Sequence, residues 1–277
     1  MKNLSGAELA GFVKERQAHL VRSLRGKKIF PKLLIIRDSD NPVIVKYVNL
    51  KKQYGEDIGI EVVDKKVSGI DEAKKVILEA NTDKTISGMI VQLPLLDKER
   101  TDEVVNLINP SKDVDGLSQV VKPEERVFES ATATAINWLL AGHGIDLVGR
   151  RIALVGHGRL VGAPLERMWQ KANLDVTVFR HNSDLTKLTN FDIIIAATGV
   201  PHLIKNNMIH AGAVVVDAGT ASEGGVLVGD IDDEIRTRTD LTAITPRIGG
   251  VGPLTVGVLF EDVIAAAQQA QPSSQKV

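Results

Sequence analysis

The chain has 277 residues, of which 43% are hydrophobic and 25% charged, a balance typical of a soluble globular protein. Its formal net charge is −1, and its lysines and arginines are spread along the chain, which argues against nucleic-acid and membrane partners. The absence of cysteine excludes disulfides, thiolate metal sites and thiol nucleophiles. We therefore expect a cytoplasmic protein of one large or two medium domains with small-molecule partners.

Short runs of Val, Ile and Leu alternate with helical patterns along most of the chain. An amphipathic helix is predicted near the N-terminus, where Ser5 and Glu8 have the spacing of a capping box. Continuous apolar runs indicate strands that are covered on both faces and joined as βαβ units. Strands are predicted at 33–37, 60–63, 88–93, 151–156, 175–179, 192–197, 213–219 and 241–244, and helices near 42–57, 70–80, 132–142 and 253–267. No apolar run of this kind is long enough to span a bilayer.

The polar segment 116–130 interrupts this alternation and suggests a domain boundary near 120–130. The predicted fold class is α/β with two domains and a cleft between them. Residues 1–125 would form an N-terminal α/β substrate domain, and residues 126–252 a C-terminal Rossmann-type doubly wound parallel sheet. The helix at 253–267 is expected to pack back on the first domain, and the tail 268–277 to be disordered.

The segment 151–164 has the pattern of a strand, a glycine-rich turn and a helix. Gly156, Gly158 and Gly162 form a G-x-G-x-x-x-G turn directly after the strand. Glycines at such a turn let the backbone approach a pyrophosphate, whose charge lies at the helix N-terminus. Strand–helix junctions also use glycine for conformational reasons alone. With a second strand following, the pattern favours a dinucleotide site.

The residues after that second strand bear on the choice of cofactor. An acid there holds the ribose 2′-hydroxyl of NAD, whereas an arginine accommodates the 2′-phosphate of NADP. Here Arg180 follows the strand, and no acid occurs before Asp184. The pattern favours NADP, with NAD possible. Two alternatives stay open: Arg180 is a solvated charge at a strand end, or His157 is an exposed loop residue and does not face the phosphates.

The first half contains a helix that begins well at Asn41-Pro42, an asparagine cap followed by proline. One face of it carries, at three- and four-residue spacings, Ile44, Tyr47, Lys51 and Tyr54. A lysine on such a face either extends past the apolar stripe to water or, in a partly dry site, takes part in proton transfer.

Two further segments supply polar groups. The apolar strand in 88–96 ends at Gln92, and ligands of open α/β sheets bind outside such strand ends. The loop 112–117 contains Asp113 and Asp115, which either contact a ligand or cap backbone amides, as turn aspartates often do.

Four motifs occur in an order and at distances that closely resemble the bifunctional methylenetetrahydrofolate dehydrogenase/methenyltetrahydrofolate cyclohydrolase family. They are Y-V-x-x-K at 47–51, VQLPLL at 91–96, PSKDVDGL at 110–117 and PRIGGVGPLT at 246–255. The resemblance covers nearly the whole chain.

The resemblance implies a role for each of these segments. Lys51 would be the catalytic lysine of the cyclohydrolase step, with Tyr47 positioning the substrate, Gln92 contacting Lys51 and Asp115 holding the pterin ring. The folate-binding residues would be Tyr47, Leu93, Pro94, Asp115, Gly249, Gly250, Pro253 and Thr255. The cofactor-binding residues would be Gly156, His157, Gly158, Arg159, Gly162, Arg180, Asn182, Thr198, Gly219 and Thr220. The family also implies a homodimer formed through the dinucleotide domain.

The implied function is the NADP-dependent oxidation of 5,10-methylenetetrahydrofolate and the hydrolysis of the product to 10-formyltetrahydrofolate. No metal site is expected, because the histidines lack metal-ligand spacing. The chain departs from the family at Gly156-His157-Gly158, where glycine, arginine and serine are usual, and in segment 130–133, which keeps only Thr132 of a proline–cysteine–threonine–proline run. The alternatives are therefore an enzyme with one activity or with NAD, and a non-catalytic folate- or nucleotide-binding paralogue.

Overall fold

A computed structural model describes residues 1–219, 221–223 and 226–270 of the chain. The helices are α1 (Gly6–Gly26), α2 (Pro42–Ile58), α3 (Ile70–Thr82), α4 (Thr101–Val105), α5 (Ala131–Gly142), α6 (Gly162–Lys171) and α7 (Val251–Gln269). The strands are β1 (Lys2–Asn3), β2 (Lys32–Arg37), β3 (Glu61–Lys66), β4 (Gly88–Val91), β5 (Ile152–Val155), β6 (Val176–Phe179), β7 (Ile193–Ala196), β8 (Val214–Asp217), β9 (Ala221–Glu223), β10 (Val226–Val228) and β11 (Ala243–Ile244).

The chain divides into two compact units. The first, here called the turn unit because it contains the glycine-rich turn, comprises residues 1–11 and 132–255. The second, here called the lysine unit because it contains Lys51, comprises residues 12–131 and 256–270 of the described chain. Each unit has its own parallel sheet.

The turn unit contains a six-stranded parallel sheet in the order β1-β11-β8-β7-β5-β6. Its central strands are continuous apolar runs, and β5 and β7 are buried along their whole length. The side chains of these strands form a core with Phe179 at the end of β6 and with residues of the following loops, including Leu188 and Ile235. The chain runs outward from β5 to β6 and then returns past β5 to β7, the winding of a Rossmann-type sheet.

The lysine unit contains a three-stranded parallel sheet in the order β3-β2-β4. The chain again runs outward, from β2 to β3, and returns past β2 to β4. Apolar residues of β2 and β4 pack on the buried faces of α3 and α4, where Ile77 and Val104 are fully buried. This unit repeats on a smaller scale the topology of the turn unit.

The predicted α/β fold class with parallel sheets in two domains is confirmed. At the N-terminus, residues 1–11 belong to the turn unit, whereas the sequence predicts a domain over 1–125. The reason is β1, which pairs in parallel with β11 at the edge of the six-stranded sheet. A two-residue strand leaves too short a pattern to recognise in the sequence. The same holds for α4 and for the antiparallel pair of β9 and β10.

Helix α7 is longer than the predicted 253–267, because it begins at Val251 and continues to Gln269. By length and by its mean hydropathy of 1.3, this helix could cross a membrane. However, 56% of its most apolar stretch is buried inside the protein, as in the core helix of a globular protein. Most of the expected disordered tail, residues 271–277, lies outside the described part of the chain.

Candidate functional site

The lysine unit has a switch point at the carboxyl ends of β2 and β4, where the strand order reverses. Ligands of open α/β sheets bind in the crevice at such a point. Gln92 directly follows β4, and its backbone N–H donates to the carbonyl of Ile36 in β2, at 2.8 Å. Asp38 follows β2, is buried, and accepts the backbone N–H of Leu96, at 2.9 Å. The segment 92–96 is therefore anchored at this edge of the sheet.

Helix α2 delivers Lys51 to this region. The helix begins where the sequence predicts, with the Asn41 side chain accepting the N–H of Val43 at 2.9 Å. It ends at Gly59, whose φ of 82° is accessible to glycine without strain. Ile44 and Tyr54 on the expected face are buried, and Lys51 between them is partly buried. The alternative in which Lys51 merely extends to solvent does not fit this placement.

The Lys51 ammonium donates a hydrogen bond to Oε1 of Gln92, at 2.6 Å. Burial lowers the pKa of Lys51, since the charged form loses hydration, while the negative charge of Asp115 partly opposes that shift. Burial also raises the pKa of Asp115 to about 6, with Lys51 acting in the opposite direction and Asp113 in the same one. Lys51, Gln92 and Asp115 thus form one polar cluster.

The two aspartates of the loop 112–117 have different roles in the structure. Asp113 is buried and accepts the backbone N–H groups of Leu117 and Ser118, at 3.3 and 3.0 Å. It is therefore a turn cap. Gly116 has a φ of 62°, and a Cβ there would collide with the backbone of Glu129, so only glycine fits the loop. This leaves the partly buried Asp115 as the acid that interacts with Lys51.

The other residues expected to contact folate in this unit lie on the same segments. Tyr47 stands one turn before Lys51 on α2 and is partly buried, and this burial raises the pKa of its hydroxyl. Leu93 is partly buried, Pro94 is exposed, and the peptide bond between them is cis.

Asp262 on α7 is an acidic residue that the sequence did not single out. Burial, together with the charges of Glu261 and Asp115, raises its pKa to about 8. The interaction with Asp115 connects α7 to the polar cluster. Asp262 lies seven positions after the last of the four motifs, so the motifs did not point to it.

A buried hydrogen-bonded set fixes α7 to α2 within the lysine unit. Tyr54 donates to Oε1 of the fully buried Gln17, at 2.8 Å, and Nε2 of Gln17 donates to the carbonyl of Gly257, also at 2.8 Å. The ring of Tyr54 stacks on Phe260 with centroids 5.0 Å apart. Because buried polar groups that are fully satisfied define one packing arrangement, this set holds Lys51 and Asp262 on a rigid frame.

The turn unit has its own switch point, between β5 and β7. Gly156 has a φ of 100°, and a Cβ there would collide with the carbonyl of Ala197 at the end of β7. A Cβ on Gly162 would collide with the carbonyl of Gly156, so both positions require glycine, whereas Gly158 has open space around it. The turn therefore brings the backbone of Gly156 against the start of α6, and the N-terminus of a helix is a place where a pyrophosphate can be stabilised.

The predicted cofactor residues around this turn differ in their surroundings. Arg180 and Asn182 are exposed in the loop after β6. Nε2 of His157 lies 2.5 Å from a carboxylate oxygen of Glu166 on α6, so this histidine is neither a free loop residue nor fully available to a ligand. Arg159 is partly buried in the turn.

A pair of buried aspartates supports the loops that follow β7 and β8. Asp230 is fully buried. Its carboxylate accepts hydrogen bonds from the N–H of Thr198, from the hydroxyl of Thr198 at 2.9 Å and from the N–H of Gly199 at 3.3 Å. Asp217 accepts the N–H of Gly219, at 3.1 Å, and that of Asp230, at 3.0 Å. A Cβ on Gly219 would collide with the carboxyl of Asp230. Thr198 and Gly219 are thus held by two acids that the sequence reading missed, and Thr220 lies outside the described residues.

The remaining predicted folate residues fall in the turn unit. Gly249 has a φ of 82°, and its carbonyl accepts the N–H of Ala7, at 2.9 Å. Gly250 packs so closely on Gly6 that a Cβ on the latter would collide with it. Pro253 lies in the first turn of α7, and the Thr255 hydroxyl donates to the carbonyl of Val251, at 3.3 Å. This segment requires glycine for close packing of backbone on backbone.

Comparisons with known proteins decide the family. A family model described as the catalytic domain of tetrahydrofolate dehydrogenase/cyclohydrolase matches residues 4–115, and one described as its NAD(P)-binding domain matches residues 130–271. The chain belongs to the tetrahydrofolate dehydrogenase/cyclohydrolase family. The bifunctional protein FolD of Aquifex aeolicus is 37% identical over 275 residues, which cover 93% of this chain and 92% of that protein.

Solved structures of the tetrahydrofolate dehydrogenase/cyclohydrolase family agree with this assignment. FolD from Campylobacter jejuni superposes with a TM-score of 0.90 at 31% identity, covering 98% of this chain and all of that one. The Trypanosoma brucei dehydrogenase-cyclohydrolase, solved with NADP and an inhibitor, gives a TM-score of 0.86 at 26% identity and 96% coverage of both chains. The family and the enzyme class predicted from the four motifs are confirmed, while the roles of individual residues stay predictions.

Proposed function

We propose that this chain oxidises 5,10-methylenetetrahydrofolate with NADP and hydrolyses the resulting 5,10-methenyltetrahydrofolate to 10-formyltetrahydrofolate. The observation that carries the proposal is the Lys51–Gln92 hydrogen bond of 2.6 Å at the switch point of the lysine unit, next to Asp115. A decayed, non-catalytic site would not keep a partly buried lysine in this arrangement.

The hydrolytic step needs a group that accepts and returns protons. Water adds to the methenyl carbon, and its oxygen loses both protons as it becomes the formyl carbonyl. The bond from that carbon to N5 breaks, N5 takes up one of these protons, and the other is released. Lys51 is suited to this exchange, because burial lowers its pKa and makes its ammonium a better proton donor than an ordinary lysine. Gln92 cannot titrate, so its amide oxygen orients the Lys51 nitrogen without changing the charge of the site.

Asp115 has the chemistry to hold the pterin ring. The ring presents adjacent N–H donors, and a carboxylate accepts two such donors side by side. Lys51 favours the ionised form of Asp115, whose pKa of about 6 leaves it a carboxylate at neutral pH. We assign Tyr47, Leu93 and Pro94 to the walls of the folate site, since they lie on the same two segments as Lys51 and Gln92.

The turn unit fits a dinucleotide. Gly156 and Gly162 leave no room for a Cβ, the start of α6 is suited to a pyrophosphate, and the exposed Arg180 supplies positive charge for a 2′-phosphate. A bound nicotinamide would accept hydride from the folate methylene carbon. The protein's contribution to that step is positioning, for which Thr198 and Gly219 are held by Asp230 and Asp217.

We further propose a cytoplasmic homodimer formed through the turn unit. Strand β6 pairs with β5 alone among the described residues, so it is an edge strand, and Thr177 within it is exposed. Exposed edges are common sites of association. A molar mass near that of one chain in solution would contradict the dimer.

The function is tested by following reduced-nicotinamide formation from 5,10-methylenetetrahydrofolate on purified protein, with NADP and NAD in parallel. Turnover with NADP preferred supports the proposal. Turnover with NAD alone would keep the two activities and overturn the choice of cofactor. Hydrolysis of 5,10-methenyltetrahydrofolate without turnover of either dinucleotide would leave a cyclohydrolase alone.

A further inference from the structure

His157 in the glycine-rich turn is paired with Glu166 on α6. His157 follows Gly156, whose N–H donates to the carbonyl of Phe179, the last residue of β6, at 2.9 Å. His157 therefore lies at the edge shared by β5 and β6, where Rossmann-type folds distinguish the two ribose substituents. Glu166 reaches this edge from the second turn of α6.

The Glu166 carboxylate is held firmly in place. One of its oxygens lies 2.5 Å from Nε2 of His157, and the other accepts from Gln170, at 3.3 Å. The side chains of His157 and Glu166 are only 27% and 24% exposed. An imidazole so close to a carboxylate directs that nitrogen to the acid and away from a ligand, and a charged pair has no net charge to offer a phosphate.

We propose that Glu166 is a specificity-determining residue that reduces the preference of this enzyme for NADP over NAD. It acts through His157, which it withdraws from the 2′-phosphate, and through its own negative charge at the turn. A 2′-phosphate brings about −1.5 to −2 charges and is repelled by a carboxylate, whereas a 2′-hydroxyl has a proton to donate to one. Arg180 opposes Glu166, so cofactor choice is a balance between the two. This inference rests on the proposed dehydrogenase activity.

The test is Glu166→Gln in the full-length chain, because glutamine keeps the size and a hydrogen-bonding oxygen but removes the charge. We expect the ratio of kcat/KM for NADP to that for NAD to rise at least about fivefold, as removal of one nearby like charge predicts. His157→Ala should shift the ratio in the opposite direction, because Glu166 then lacks its partner. Glu166→Asp should restore a ratio close to that of the original chain.

Two controls separate specificity from damage to the fold. Glu234→Gln makes the same charge change at an exposed position of the turn unit and should leave the ratio unchanged. Cyclohydrolase activity, measured in every variant, reports on the integrity of the fold and should stay the same in Glu234→Gln. An unchanged ratio in Glu166→Gln, or equal losses with both dinucleotides, would overturn the inference.

Equilibrium binding of NADP and NAD, measured by calorimetry on the same proteins, distinguishes failure of the inference from failure of the proposed function. A binding ratio that shifts in Glu166→Gln without any turnover would sink the dehydrogenase activity and support the role of Glu166. Binding of neither dinucleotide would overturn both.

Discussion

The lysine unit and the turn unit use the same topology in different ways. Each has a parallel sheet whose strand order reverses, between β2 and β4 in the lysine unit and between β5 and β7 in the turn unit, and in each the candidate site lies at that switch point. In the lysine unit the candidate chemistry resides in side chains, chiefly Lys51, Gln92 and Asp115. In the turn unit the candidate cofactor site is formed by glycine-rich backbone, and two aspartates hold the loops that follow β7 and β8. The same topology thus suits proton transfer where reactive side chains lie at the strand ends, and it suits ligand binding where backbone lies there.

The largest effect is expected from a substitution that removes the activity proposed for the lysine unit alone. Lys51→Met removes the proton carrier and keeps the length of the side chain, so cyclohydrolase activity should fall by at least about 100-fold, the usual contribution of general acid–base catalysis. Dehydrogenase activity should remain substantial, because hydride transfer needs no proton carrier. Both rates can be followed spectrophotometrically on the same preparation.

The matched control for this variant is Lys52→Met, at an exposed neighbouring position on the same helix. It should leave both activities unchanged. Hydrolysis retained in Lys51→Met, or equal loss of both activities, would show that Lys51 is not the proton carrier.

A second variant should impair only the dinucleotide site proposed for the turn unit. Asp230→Ala removes the acceptor for Thr198 and Gly199, and hydrogen bonds to charged groups contribute about 1.5–3 kcal/mol each. We expect kcat/KM for the dinucleotide to fall by about 10- to 100-fold, chiefly through KM, with cyclohydrolase activity retained. Asp230→Asn keeps an accepting oxygen and should rescue most of the loss.

Asp240→Asn is a suitable comparison for Asp230, since it changes an exposed aspartate of the same unit. If both Asp230 variants lose cyclohydrolase activity in parallel with dehydrogenase activity, Asp230 supports the whole fold and has no special part in the cofactor site.

A smaller effect is expected at Arg180, directly after β6, where we propose that the ribose substituent of the cofactor is recognised. Arg180→Ala should weaken NADP binding by about tenfold and NAD binding much less, since we propose that the guanidinium makes a charge-assisted bond to the 2′-phosphate. Dissociation constants for both dinucleotides provide the measurement. Equal weakening of NADP and NAD would mean that Arg180 does not read the 2′-phosphate.

The same contrast between units explains what the sequence could predict. Lys51, Gln92 and Asp115 stand in short motifs, on a helix face, directly after a strand and in a loop. Their elements therefore followed from periodicity, and their meeting point followed from the resemblance. The Lys51–Gln92 hydrogen bond of 2.6 Å is the contact that the family resemblance implied. Side chains that carry chemistry leave a local pattern in the sequence.

Supporting groups leave no such pattern. Asp230 stands 32 positions after Thr198, and its role depends on a loop closing over two strand ends. Glu166 is an ordinary helical glutamate until the fold brings it to His157. Strand β1 has two residues and is defined only by its partner β11. These features arise from long-range packing, which no local periodicity encodes.

The smallest expected effect concerns stability and tests whether α7 truly belongs to the polar cluster of the lysine unit. Folding raises the pKa of Asp262 from an ordinary 3.8 to about 8, through burial and the charges of Glu261 and Asp115. Between these two pH values the folded chain holds a proton that the unfolded chain has released, so stability falls as pH rises from about 4 to about 8. Asp262→Asn stays neutral and lacks this loss. The measurement is the Tm of the variant minus the Tm of the original chain, by circular dichroism. This difference should increase between pH 5 and pH 8.5, a range chosen to span about 8, by linkage. For Asp71→Asn, at an exposed position, the difference should stay constant. A constant difference for Asp262→Asn would place Asp262 in contact with water and outside the cluster.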